Sequence, residues 1–277
     1  NGGVESYLRT LTLLKHYTGI PIIANLNGCA HGRWLDFSTH LEAAGSNAIE
    51  LSLHTNVGKS TLDAKAVEDS LLQAIETVCR SVSIRVAVKL LPFFTSLPNL
   101  ARRIADAGAR GIVLFGRVPI WEVFDGTLTA TSRWSLSDSG QLQTTLSGLM
   151  RVQGGCQEIS IAASGGISTA KDVVHAMIAG ADVAMVTSEL YRTGPDFIAH
   201  ILEGLTQYLD RRGLRSFDAF RAGCRRGQQR SSATQPGPRQ SDLHPMLETD
   251  RYTDPRPEPA VRTGDKWGHV HPSPLDD

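Results

Sequence analysis

Three stretches of this chain end a helix, place a glycine, add a polar or small residue and enter an apolar strand: "LEAAGSNAIEL", "IADAGARGIVLF" and "MIAGADVAMV". Gly45, Gly108 and Gly180 stand where a chain leaving a helix must turn left-handed. The same hinge repeated along one chain favours a (β/α)-barrel over a doubly wound sheet. Strands are predicted at 20–26, 48–53, 84–91, 111–115, 158–163 and 182–186, with helical patterns near 33–44, 62–80, 97–107, 138–152, 168–179 and 194–211. Near-continuous apolar strands alternating with helices indicate a parallel sheet covered on both faces. Six strands are legible where a closed barrel takes eight, so the first two βα units are expected to be missing from this sequence. Such an open sheet would leave strand edges unpaired.

Charge and composition narrow the partners. Lys+Arg and Asp+Glu are both 28 among 277 residues, so no net charge steers the chain toward nucleic acid or an anionic membrane. Its apolar runs, such as "RVAVKLLPFF", are too short to span a bilayer. The chain starts at Asn1 with no leader-like pattern. Cys29, Cys79, Cys156 and Cys224 are scattered without a CxxC, which suggests reduced thiols, a cytoplasmic setting and no metal site. Residues 1–222 are expected to form the barrel domain and 223–277 a disordered or aberrant tail. From about Gly227 the chain carries eight of its thirteen prolines and no periodicity, as in a functional tail or the product of a reading-frame change.

In a barrel the C-terminal strand ends carry the site. The strand at 158–163 exits into Ser164-Gly165-Gly166 and the strand at 182–186 into Thr187-Ser188. Paired glycines let a backbone approach an anion, and a following helix start offers free N–H groups, so the two turns suggest a phosphate cup; ordinary βα turns are the alternative. Lys89 lies in an otherwise apolar strand, where an ammonium needs a ligand or a carboxylate partner such as Glu50. Asn25 and Asn27 are two apart and so share a face. "ELSLHTNVGK" brings Ser52, His54, Thr55 and Asn56 to the mouth, with His54 a candidate for acid–base work. The long stretch after 111–115 reads as a lid or binding loop, and "IWEVFDGTLTATS" as a hairpin turning at Asp125-Gly126.

Together "IPIIANLNG", "AIELSLHTN", "VAVKLLPFFTSLPNLARRIADAGARGIVLFGR", "AASGGISTAKDVVHAMIAGADVAMVTSEL" and "YRTGPDFIAHILEGLTQYL" resemble the FMN-binding barrel of dihydroorotate dehydrogenases, over nearly all of 5–222. The nearest resemblance is to the branch called dihydroorotate dehydrogenase-like. It implies an α/β fold, a (β/α)8 TIM barrel of FMN-binding type. It further implies that Lys89 lies against the flavin ring, that Gly165 and Gly166 bind its phosphate with Ser164, Thr187 and Ser188, and that Asn25 and Asn27 line ring and substrate. The sequence departs from the family where Asn-Leu-Ser-Cys-Pro-Asn is expected. Here "SLHTN" puts Ser52 at the first Asn and lacks the Cys, leaving His54 or Thr55 for proton transfer and Ser52 and Asn56 for substrate. Gly116 stands at another expected Asn.

Three readings follow. The first is an FMN-dependent dehydrogenase acting on a CH–CH bond of a small substrate, in pyrimidine metabolism if it follows the family, although dihydroorotate itself fits the changed loop poorly. The second is a catalytically silent flavin-binding or electron-relay subunit beside a redox partner protein. The third is a phosphate-ester isomerase, which would need acidic residues at strand ends. A homodimer is compatible with each.

Overall fold

A computed structural model describes residues 3–28, 37–53, 62–153 and 158–234. The chain divides into two compact units, Asn1–Ala233 and Thr234–Asp277, and all of the second but its first residue lies outside the described residues. The first unit is built on strands β1 (Ile23–Gly28), β2 (Ala48–Leu53), β3 (Arg85–Leu90), β4 (Gly111–Leu114), β7 (Ser160–Ser164) and β8 (Val183–Met185). They pair in parallel in the order β1-β2-β3-β4-β7-β8, with β5 (Ile120–Phe124) and β6 (Thr129–Arg133) forming a separate antiparallel hairpin. Parallel strands in strict chain order, joined by helical crossovers, are the topology of a (β/α)-barrel. β1 and β8 are the two edges of the sheet among the described residues.

The crossovers are α2 (Phe37–Ala43), α3 (Ala64–Ser81), α4 (Leu97–Asp106), α5 (Gln141–Val152) and α6 (Ala170–Ile178). In α3 the residues Leu71, Ala74, Ile75 and Val78 recur at helical spacing and are buried. Asp63 caps this helix by accepting from the Ala66 N–H. The three hinge glycines behave as their sequence context requires. Gly45, Gly108 and Gly180 have φ of 93°, 104° and 115°. The next residues donate back across the helix end, Ser46 to Leu41, Ala109 to Ile104 and Ala181 to Ala176. This Schellman closure satisfies the last carbonyls and aims the chain into the next strand.

Alternation then sorts the strands into two faces. Leu26, Ile49, Leu51, Val86, Val88, Ile112, Leu114, Ile161 and Ala163 turn toward the helices and form the core. The opposite face carries Asn25, Asn27, Glu50, Ser52, Ala87, Lys89, Gly111, Val113, Ala162 and Ser164, which the pairing register sets side by side.

Several boundaries move. The helix expected over 194–211 is α8 (Phe197–Arg211), preceded by a short α7 (Ser188–Thr193) that ends at Gly194, whose φ is 86°. α1 (Gly3–Tyr17) and α9 (Phe217–Thr234) were not expected. The domain boundary expected at 222–223 falls inside α9. Arg225 pairs with Asp182 and Gln228 donates to the Met177 and Ile178 carbonyls, anchoring a helix that its own sequence does not announce. The hairpin forms as expected, with a tight 3-10 turn at Asp125–Thr127. No described helix is long and apolar enough to cross a membrane.

Candidate functional site

Register and pleat together gather the candidate residues. Asn27, Ser52, Lys89 and Val113 lie at one level across β1 to β4, and Asn25, Glu50, Ala87 and Gly111 at the level below. Lys89 therefore faces the lumen side, not the helix layer. Its ammonium meets Glu50 Oε1 at 2.7 Å. The same oxygen accepts from Asn25 Nδ2 at 2.6 Å, and that amide also donates to Ser52 Oγ at 2.7 Å. The Glu50 side chain is 10% exposed and that of Lys89 22%. The carboxylate partner that the sequence left as one option for Lys89 is thus in place, and the lysine keeps an exposed flank.

A tyrosine from α1 completes this corner. The Tyr7 hydroxyl accepts from the Asn25 N–H at 2.9 Å and donates to the Asn25 carbonyl at 3.0 Å. One side chain thereby satisfies both backbone groups of an edge-strand residue, which would otherwise invite pairing with another chain. Burial pushes the Tyr7 phenol above its ordinary range, and the Glu50 charge adds to that against the opposing hydrogen bond to Asn25. Gly116 leaves room beside the lysine. A Cβ there would lie 3.3 Å from Lys89 Cγ, so the asparagine expected at this position would press on the lysine stem.

The second cluster stands at the ends of β7 and β8. Gly165 and Gly166 both have positive φ, 105° and 77°. The Gly166 and Thr187 amides make no hydrogen bond among the described residues. Thr145, buried in α5, donates to the Ser164 and Gly165 carbonyls and holds the turn from behind. A Cβ on Gly166 would sit 2.2 Å from the Leu142 nitrogen, so this glycine also serves the packing of α5. The Ser188 hydroxyl accepts from the Ser137 N–H at 2.9 Å and lies 2.7 Å from the Ser137 hydroxyl. Thr187 precedes α7 without a side-chain capping bond. Thr145, Ser137 and Tyr7 escaped sequence reasoning. The one available signal was a threonine on the apolar stripe of α5, between Leu142 and Leu149.

β3 and β7 flank β4, so Lys89 stands two strand spacings, roughly 10 Å, from Ala162 of β7, and the glycine turn begins three residues further along that strand. Asn27 is exposed on that face, and its amide has no partner among the described residues. Ser52 is buried with its hydroxyl held by Asn25. His54, Thr55 and Asn56 lie outside the described residues. A cavity of about 250 Å³ reaches Lys89, but its walls are Leu53, Leu71, Leu90 and other residues of the helix side. A larger one of about 720 Å³ lies between α6 and α8, lined from Thr169 and Lys171 at the start of α6 to Arg211 and Arg212 at the end of α8. Among the described residues, no cluster of His, Cys, Asp and Glu could hold a metal ion.

The donor set fits an FMN in kind. A cation partly open to the lumen suits an isoalloxazine that becomes anionic when reduced, and free amides at a glycine turn suit a phosphate.

Comparison with known proteins gives a consistent family. The sequence model described as Dihydroorotate dehydrogenase matches residues 1–209. A dihydroorotate dehydrogenase A (fumarate) of Lactobacillus delbrueckii subsp. bulgaricus is 27% identical over 223 residues, covering 77% of this chain and 71% of the relative. A dihydroorotate dehydrogenase B (NAD(+)), catalytic subunit, of Enterococcus faecalis is 25% identical over 235 residues, covering 83% of this chain and 75% of the relative. The Lys89 strand, the glycine turn of β7 and three-quarters of the chain thus point the same way, and the chain belongs to the dihydroorotate dehydrogenase family.

Proposed function

We propose that this chain is an FMN-dependent dehydrogenase acting on a carbon–carbon single bond of a small substrate. The observation that carries the reading is Lys89: its ammonium is fixed on the lumen face, at the end of β3, in the same sheet as the β7 glycine turn. Family membership supports the dehydrogenase class. A bound flavin would supply the hydride acceptor.

The chain's own residues do the rest. Lys89 offers positive charge to the pyrimidine edge of the ring, with Glu50, Asn25 and Ser52 holding it in place. Gly165 and Gly166 offer backbone donors to the phosphate, with Ser164, Thr187 and Ser188 around them. Asn27 extends toward ring or substrate an amide that has no partner among the described residues. His54 or Thr55 takes the substrate proton, and Asn56 with Ser52 contacts the substrate. The hairpin loop over 116–138 covers it. Dihydroorotate is not assigned as the substrate, since Ser52 and Gly116 replace the asparagines that would grip its polar edge.

The relatives are named for fumarate and for NAD(+), the latter as a catalytic subunit. By extension the electron acceptor is either a small molecule or a partner redox protein, and the setting is the cytoplasm, with a homodimer as the simplest assembly. The electron-relay reading stays as the second choice, because the Ser52 hydroxyl is already committed to Asn25. The absorbance of the purified chain separates these readings. Flavin absorbance that dihydropyrimidines bleach anaerobically supports the dehydrogenase. Flavin absorbance that no dihydropyrimidine bleaches supports the relay, and a colourless protein that takes up no FMN rejects both.

A further inference from the structure

Lys89 does not stand alone on the lumen face. Its ammonium is 2.7 Å from a carboxylate that is nearly buried, and that carboxylate oxygen is also held by the Asn25 amide. Two donors on one oxygen, with Ser52 bracing the amide from the other side, fix the negative charge. The Lys89–Glu50 pair is therefore close to electrically neutral as seen from the lumen, although the lysine alone would present a full positive charge. The register makes this arrangement intrinsic: Ser52 stands opposite Lys89, so Glu50, two residues earlier, is on the same face one level down.

We propose that Glu50 is a positioning residue that sets the redox poise of the site by offsetting the charge of Lys89. The proposal rests on the flavin reading above. A reduced, anionic ring gains from a nearby cation more than an oxidised, neutral ring does. A fixed carboxylate beside that cation takes part of the gain away. Low effective dielectric at a partly buried pair makes the effect larger than it would be in water. Glu50 thus holds the cofactor at a lower potential than Lys89 alone would set, which makes the reduced ring a stronger hydride or electron donor to its acceptor.

The test is the midpoint potential of bound FMN, measured by anaerobic dye-equilibrated reduction of the whole chain. Wild-type protein is titrated with FMN first. Absence of binding there overturns the flavin reading and this proposal with it, before any variant is compared. With wild type loaded, Glu50→Gln is expected to favour the reduced over the oxidised ring about tenfold, an upward shift of about 30 mV for a two-electron couple. Glu50→Asp keeps the charge but withdraws it by one methylene, and its potential should fall between the two. Should Glu50→Gln fail to fold by circular dichroism, the Asp variant decides alone, with any reproducible upward shift supporting the assignment. A potential in the folded variants equal to that of wild type, or lower, overturns it. A purely structural role for Glu50 would weaken FMN binding in both redox states equally and leave the potential where it was.

Discussion

At the scale of single residues, one side chain often does two jobs here, and the sequence reveals only one of them. Lys89 was legible because an ammonium in an apolar strand demands an explanation. Its partner was legible as well, since Glu50 is the carboxylate of the neighbouring strand. The double grip of Glu50 on Lys89 and Asn25, and the bridge from Tyr7 to both backbone groups of Asn25, depend on distances that no spacing along the chain encodes. Gly166 shows the same duality: its positive φ is read from a glycine pair, but its contact with Leu142 is not. Cys79 offers a direct check on residue environments. Burial raises its thiol to about 11, outweighing the nearby Arg110 charge. At pH 8 only about one thiol in a thousand is then ionised, since the pH lies about three units below the pKa. Alkylation followed by mass spectrometry should find Cys79 far slower than the same residue in urea-unfolded chain. Equal rates would show that the thiol is not buried. Because the folded thiol holds its proton to higher pH than the unfolded one, this site contributes stability below the unfolded thiol range that is lost as pH rises toward about 11.

Among the elements, the strands and their hinge glycines were the most legible part of the chain, because burial on one face and a forced left-handed turn leave few alternatives. The helices at the two ends were not. α1 carries scattered polarity around a single buried leucine, and α9 is rich in arginine, glutamine and serine, so neither shows a clear apolar stripe. Their order comes from elsewhere. Asp182, at the base of β8, accepts from the Ile161 N–H at 3.0 Å while pairing with Arg225 and, more distantly, Arg221. One carboxylate thereby joins β7, β8 and α9. Asp182→Ala should lower stability by about 1–3 kcal/mol, as a part-buried N–H loses its acceptor. Urea unfolding followed by circular dichroism checks this, with a lower midpoint and less helix expected before the main transition. An unchanged midpoint would show that α9 is held by its apolar contacts alone.

Across the whole molecule, the sheet is finished on one side and open on the other. The helix-facing side is almost entirely buried, whereas the lumen side carries polar and small residues and leaves Ile23 60% and Val183 53% exposed at the two edge strands. A (β/α)-barrel places its chemistry at this side's C-terminal rim, and along it stand the lysine, an asparagine amide with no partner among the described residues, and the glycine turn. The most direct measurement is a fluorescence titration of FMN and of riboflavin, which lacks the phosphate, into the purified chain and its Lys89→Met variant. The account predicts that FMN binds wild-type protein at least tenfold more tightly than riboflavin does, and that Lys89→Met weakens both. Equal affinity for the two flavins would contradict the phosphate role of the β7 turn, and FMN affinity unmoved by Lys89→Met would contradict the placement of the ring beside the lysine.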